Sequence, residues 1–200
     1  MKKIPSLPPP AILAEWSVRE AALVAACAEF FPTPVSLVLE LGCGHGHFLT
    51  AYAQAHPHTR CFGVDRATKR IARSVRKQSR HNLGNVAFIK ADAAETLAAL
   101  PMHVRLQGIF ILFPDPWPKK RHHVRRLLQP ELLDALAARA EPGVWLAHRT
   151  DHADFFAWAK TNLAAHPQWR LAPELPWPFE HSTVFQELHD THHSLMAVRR

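Results

Sequence analysis

Two hundred residues, 48% of them apolar, suffice for one domain with a sizeable core and fall short of two ordinary ones. The 24 Lys and Arg against 17 Asp and Glu leave a net charge of +7, a balance that suits an anionic partner without naming one. Cys27, Cys43 and Cys61 are odd in number and lack metal spacing, no apolar run is long enough to span a bilayer, and Pro5, Pro8, Pro9 and Pro10 interrupt any signal-peptide core. These features predict a soluble cytoplasmic chain with free thiols and no metal.

Residues 1–34 read as an arm and a lead-in helix (11–31), stopped by Pro32 and Pro34. The working domain is expected over 35–200. Its first strand, 35–41, is an almost unbroken apolar run, as a strand buried on both faces requires. A glycine turn and a helix at 47–55 follow, then a strand at 60–64 ending at Asp65, and a basic helix at 67–80. A third strand is predicted at 86–89, a short helix at 93–100, and a fourth strand at 108–112. Pro130 opens a helix to about 140, Pro142-Gly143 forms a turn, and 144–149 is a fifth strand. Thr150-Asp151 is expected to cap a helix at 152–165, and two further strands close the chain. This alternation predicts an α/β fold: a doubly wound, mostly parallel seven-stranded sheet of the Rossmann-like kind.

In such sheets ligands sit beyond the carboxyl ends of the strands. The first strand ends in Glu40-Leu41-Gly42-Cys43-Gly44-His45-Gly46, with His47 where a dinucleotide fingerprint needs glycine. Glu40, two residues before Gly42, gives nothing to a pyrophosphate but suits a cationic ligand. A carboxylate there, with Gly42, Gly44 and Gly46 allowing close approach, points to S-adenosyl-L-methionine, which carries an ammonium and a sulfonium. Asp65 ends the second strand, where a ribose diol is commonly held. Asp92 fits an adenine acceptor and a helix N-cap equally well.

After the fourth strand comes Phe113-Pro114-Asp115-Pro116-Trp117-Pro118-Lys119-Lys120-Arg121-His122. Alternate prolines forbid helix and ladder alike, leaving a stiff extended loop with an acid and an indole, followed at once by cations. Asp115 would lie beside the reactive methyl, at both the catalytic and the cofactor site. Trp117 suits base stacking or packing beneath the loop. Lys119, Lys120, Arg121, Arg125 and Arg126 are candidate phosphate contacts. The basic helix either extends that surface or is a solvated face.

This signature resembles that of the bacterial tRNA (guanine-N7)-methyltransferases, over about residues 35–165. The resemblance implies a methyltransferase fold for 35–200, using S-adenosyl-L-methionine to methylate N7 of a variable-loop guanine in tRNA. Glu40, Asp65 and Asp92 then fall on cofactor positions, Asp115 on the catalytic one, and Lys119 and Asp151 on substrate positions. Near the C-terminus the family's Thr-x-aromatic-Glu motif is matched by Thr183-Val184-Phe185-Gln186, with an amide in place of the carboxylate. Thr183 and Gln186 are carried as substrate contacts, and the change prompts a second reading, an RNA-binding relative with lost or altered activity. A third, methylation of a small molecule, suits the cationic loop poorly. Monomer, homodimer and assembly with a partner subunit all stay open. His189, His192 and His193 have no neighbouring acids or cysteines and are read as no metal site. Residues 169–181 yield no reading.

Overall fold

Short apolar strands bury both faces only when the sheet is covered on each side, and the computed structural model has that arrangement. It describes residues 10–181 and 191–200, with side chains from residue 17 onward. The strands are β1 (Val35–Leu41), β2 (Arg60–Asp65), β3 (Val86–Lys90), β4 (Val104–Leu112), β5 (Ala140–Thr150), β6 (Trp169–Leu171) and β7 (His193–Arg199). The helices are α1 (Pro10–Phe30), α2 (His47–Ala55), α3 (Thr68–Arg80), α4 (Ala93–Ala99), α5 (Pro130–Ala137) and α6 (Ala153–Ala165).

The sheet order is β3-β2-β1-β4-β5-β7-β6. β7 runs antiparallel to both of its neighbours, so among the described strands it is the reversed one in an otherwise parallel sheet. The order reverses between β1 and β4, which are paired with Glu40 opposite Phe110. The loops after these two strands therefore leave the same edge side by side, and a ligand crevice forms at such a point.

One face of the sheet carries α1, α4, α5 and α6, whose Leu23, Leu97, Leu133 and Phe155 bury against Leu37, Leu106 and Leu146. α2 and α3 cover the β1–β3 part of the other face through Phe48, Leu49, Tyr52 and Ile71. Among the described residues no helix covers the rest of that face. The proline-punctuated stretch 172–181, which starts with a turn closed by Leu175 N on Ala172 O, crosses the face instead, and Phe179 sets its ring against Phe48 and Tyr52 with centroids 5.7 and 5.4 Å apart. This is the packing role of the segment that sequence reading left blank.

Three local expectations change. β4 begins at Val104 and β5 at Ala140, earlier than the apolar runs indicate, because a register irregularity lets residues 141–144 bulge while the strand pairing continues. Pro142-Gly143, with Gly143 at φ 91°, is thus a bulge within β5 and not a turn before it. The cap of α6 is His152, whose ring nitrogen accepts from Phe155 N, while Thr150 Oγ1 accepts from His152 N. Thr183 and Gln186, with His189, lie outside the described residues.

No helix among the described residues is long and apolar enough to cross a membrane. Among them, no cluster of His, Cys, Asp and Glu is arranged to hold a metal ion.

Candidate active site

The glycine turn after β1 is built by backbone hydrogen bonds. Gly42 N and Cys43 N both donate to Val64 O of β2, and Gly46 N closes the turn on Cys43 O. Gly42, Gly44 and Gly46 have φ of 79°, 54° and 67°. At Gly44 a Cβ would meet nothing within 4 Å, so the missing side chain leaves an open cradle above the backbone. At Gly46 it would lie 2.8 Å from Ser74 Cβ and 2.9 Å from the Phe88 ring, so there glycine is required for packing.

Glu40 lies beneath this turn, 3% exposed, and its Oε2 has no hydrogen-bond partner. Burial pushes its carboxyl up to about 8, the nearby Asp65 pushes the same way, and a backbone hydrogen bond from Leu49 opposes them. A fully buried, under-satisfied carboxylate is costly unless a cation completes it. Asp65 is engaged on both oxygens: Gly44 N donates at 3.1 Å, Ala67 N at 2.7 Å, and Arg70 stands 3.5 Å away. Two carboxylates of unequal character thus share one turn. The orphan oxygen of Glu40 and the space above Gly44 fit a cationic, diol-bearing cofactor such as S-adenosyl-L-methionine.

Asp92 is the N-cap of α4. Its side chain accepts from Ala94 N at 3.0 Å, and Glu95 reaches back to Asp92 N in a reciprocal capping box. Of the two roles open to it in the sequence, the cap is the one the structure displays. Its other oxygen faces Arg66 at 3.7 Å.

After β4 the chain turns on Phe113, whose N–H donates to Arg149 O at 2.8 Å. Phe113 and Trp117 have φ of 47° and 45°, a left-handed conformation that side chains adopt only under constraint. They bracket Pro114-Asp115-Pro116 and leave Asp115 exposed at the tip, while Pro114 is buried. Trp117 packs within the loop, edge-on to His122 at 5.7 Å and under the Arg125 guanidinium at 4.9 Å. Lys119 is followed by a 3₁₀ turn, Lys120–Arg125, and Lys119, Lys120, Arg121 and Arg125 are all exposed.

Arg126 does not join them. It is 1% exposed, donates Nε–H to Pro116 O at 2.9 Å and Nη2–H to Asp154 at 2.5 Å, and stacks against Phe155 and Trp158. As a phosphate contact it is therefore withdrawn, because a guanidinium in this position cannot reach solvent. Asp151 is exposed immediately after β5, next to the buried Thr150. On β5 itself, Arg149 is buried, pairs with both oxygens of Glu180 at 3.1 and 2.9 Å, and covers the Trp177 ring at 4.0 Å.

Sequence reasoning missed the braces of the glycine turn. Ser74 Oγ donates to Gly44 O at 3.1 Å and Lys77 Nζ to His45 O at 3.1 Å, both from α3. The helical spacing of Arg70, Ser74 and Lys77, one turn apart on a single face, was the available signal.

A reversed-order parallel sheet with a buried acid under a glycine turn and an acidic proline loop facing it defines the class of Rossmann-like methyltransferases. A family model described as "Putative methyltransferase" matches residues 34–191, and the chain belongs to that family. Among its relatives, the tRNA (guanine-N(7)-)-methyltransferase of Treponema pallidum (strain Nichols) is 37% identical over 165 residues, 82% of this chain and 64% of the relative. That of Thiobacillus denitrificans is 42% identical over 131 residues, 66% of this chain and 58% of the relative. The chain thus spans less than two thirds of the length of these curated relatives. Solved structures share the fold: an rRNA methylase from Streptococcus thermophilus superposes with a TM-score of 0.56 at 12% identity, over 88% of this chain and 93% of that one.

Proposed function

We propose that this chain transfers a methyl group from S-adenosyl-L-methionine to N7 of a guanine in tRNA, in the variable loop. The observation that carries the reading is the pairing of Glu40, buried with an orphan oxygen, and Asp115, exposed on the loop of the adjacent strand. The names of its relatives support the same substrate.

The cofactor, when bound, supplies an electrophilic methyl on a sulfonium. Glu40 would complete its charge with the ammonium end, Asp65 has lone pairs left for ribose hydroxyls, and Asp92 offers its second oxygen towards the adenine. Guanine N7 has an exposed lone pair, so no general base is needed. The work left to the protein is in-line placement and a field that favours positive charge arriving on the guanine ring. Asp115 supplies that field, because docking of RNA would strip water from an otherwise exposed carboxylate. Asp151, after the next strand, is then the candidate for the guanine N1–H and N2–H edge, shared with Thr183 and Gln186. Lys119, Lys120, Arg121 and Arg125 line up as phosphate contacts.

Incubation with labelled cofactor and unmethylated bulk tRNA, followed by nucleoside analysis, tests the reading. 7-Methylguanosine is the expected product. RNA binding without transfer would instead support an inactive or altered RNA-binding relative, and transfer to small molecules alone would sink both.

A further inference from the structure

The basic helix α3 does more than brace the glycine turn. Arg73, Arg76, Lys77 and Arg80 follow at i, i+3, i+4 and i+7, so they share one helical face. With His45 and His47 from the glycine turn and the start of α2, they line a pocket of about 350 Å³. No carboxylate lines it. Arg73 Nη1 lies 3.4 Å from His45 Nε2.

Among the described residues, the ion pair that an α3 cation makes is Arg70 with Asp65, and Arg73, Arg76, Lys77 and Arg80 have no acidic partner. Like charges at i, i+4, as in Arg73/Lys77 and Arg76/Arg80, destabilise a helix. The pocket holds its cations close enough to perturb one another: burial and then Arg80 lower Lys77 to about 8, while burial and then Arg73, Arg70 and Lys77 lower His45, with Asp65 opposing. A solvated basic face would spread its charges over a convex surface. Here they converge on a concavity beside the cofactor turn.

We propose that this pocket is a second phosphate-binding site, which takes a phosphodiester of the substrate RNA. The inference rests on the RNA reading above and adds a contact on the opposite side of the crevice from Lys119–Arg125. The crevice opens between the ends of β1 and β4; α3 borders it beyond β1, and the proline loop borders it after β4. A strand whose base enters between them passes cations on both sides. Arginine forks suit the tetrahedral oxyanion of a phosphate, whether in RNA or free in solution.

The test uses the full chain and the double variant Arg76→Gln/Arg80→Gln, which leaves Lys77, Ser74 and Arg70 on the glycine turn. Binding of unmodified tRNA is measured against salt, and melting is followed with inorganic phosphate against chloride at equal ionic strength. The expected result is a plot of log affinity against log salt that flattens by about one to two units, with phosphate raising the melting temperature of the parent by more than that of the variant, which keeps Lys119–Arg125. At low salt without phosphate, the variant is expected to melt higher than the parent, because repulsion is relieved. A lower melting temperature would mark the arginines as structural and overturn the site. An unchanged salt slope would overturn the RNA assignment, and greater phosphate protection of the parent would then leave a site for free phosphate; equal protection of both would overturn the site. A parent that binds tRNA with the predicted slope change yet transfers no methyl group would sink the proposed activity and leave the pocket standing.

Discussion

Arg126 donates its Nε–H to the carbonyl of Pro116 at 2.9 Å, so a buried guanidinium holds the rigid half of the acidic loop from behind. The same side chain reaches Asp154 on α6 and lies against Phe155 and Trp158. One residue therefore links the loop that presents Asp115 to the helix after β5. Arg126→Ala is expected to cost about 3 kcal/mol of stability, through the packing lost against Phe155 and Trp158 and the Pro116 carbonyl left without its donor, the exposed Asp154 adding little. Denaturant unfolding would measure it, and a loss in RNA affinity no larger than the loss in stability explains would agree with a structural role.

Asp115 faces water and Glu40 does not, and the two carboxylates should fail differently. Asp115→Asn is expected to lower the single-turnover rate by about 10²- to 10³-fold, as loss of a charge aimed at the transition state does. Cofactor affinity should move by less than about threefold. Intact rates in the variant would remove Asp115 from the chemistry.

Glu40 links cofactor binding to protons. Its carboxyl titrates near 8 in the free protein, so below that pH it is largely protonated, and a cationic cofactor requires it ionised. Affinity should therefore rise with pH, by up to about tenfold per unit, and level off above about 8. Calorimetry in buffers of different ionisation enthalpy should detect a released proton. Glu40→Gln should abolish that release; a pH-independent affinity in the parent would contradict the assignment.

Asp92 has two roles that one substitution can separate. Serine caps a helix about as well as aspartate, so Asp92→Ser should hold stability within about 0.5 kcal/mol. If the second oxygen, which faces Arg66, also serves the adenine, cofactor affinity should fall about tenfold. Loss of neither would leave Asp92 as a cap alone.

His148 makes the fold acid-sensitive. It is fully buried between β4 and β7, with Nδ1 3.0 Å from Ile111 O and Nε2 without a partner. Burial lowers it to about 4 from 6.5, against an opposing hydrogen bond to Ile111. The unfolded chain thus binds a proton first. Stability present above pH 6.5 should decline by about 3 kcal/mol as pH falls to 4. His148→Phe should flatten this stretch of the pH profile.

Much of the site was legible along the chain because its parts are local. The order of strands and helices follows from apolar runs and punctuation, so β1, α2 and the ends carrying Glu40, Asp65 and Asp115 were correctly placed. A glycine turn and a proline loop constrain their own backbones and announce themselves in sequence. Which cation faces water is a different kind of fact. Arg125 and Arg126 are neighbours in one basic run, yet the first is exposed over Trp117 and the second is sealed under Pro116. Only the approach of α6, with Asp154, Phe155 and Trp158, makes that distinction. The tertiary structure likewise decided that Asp92 caps α4, that 172–181 covers a sheet face left bare by the helices, and that four α3 cations converge on the glycine turn. The chain itself determined the chemistry available to the protein, since residue type and spacing set charge and local conformation. Packing between distant segments decided which of those groups are left free to act, since burial and partnership are set by elements far apart in the sequence.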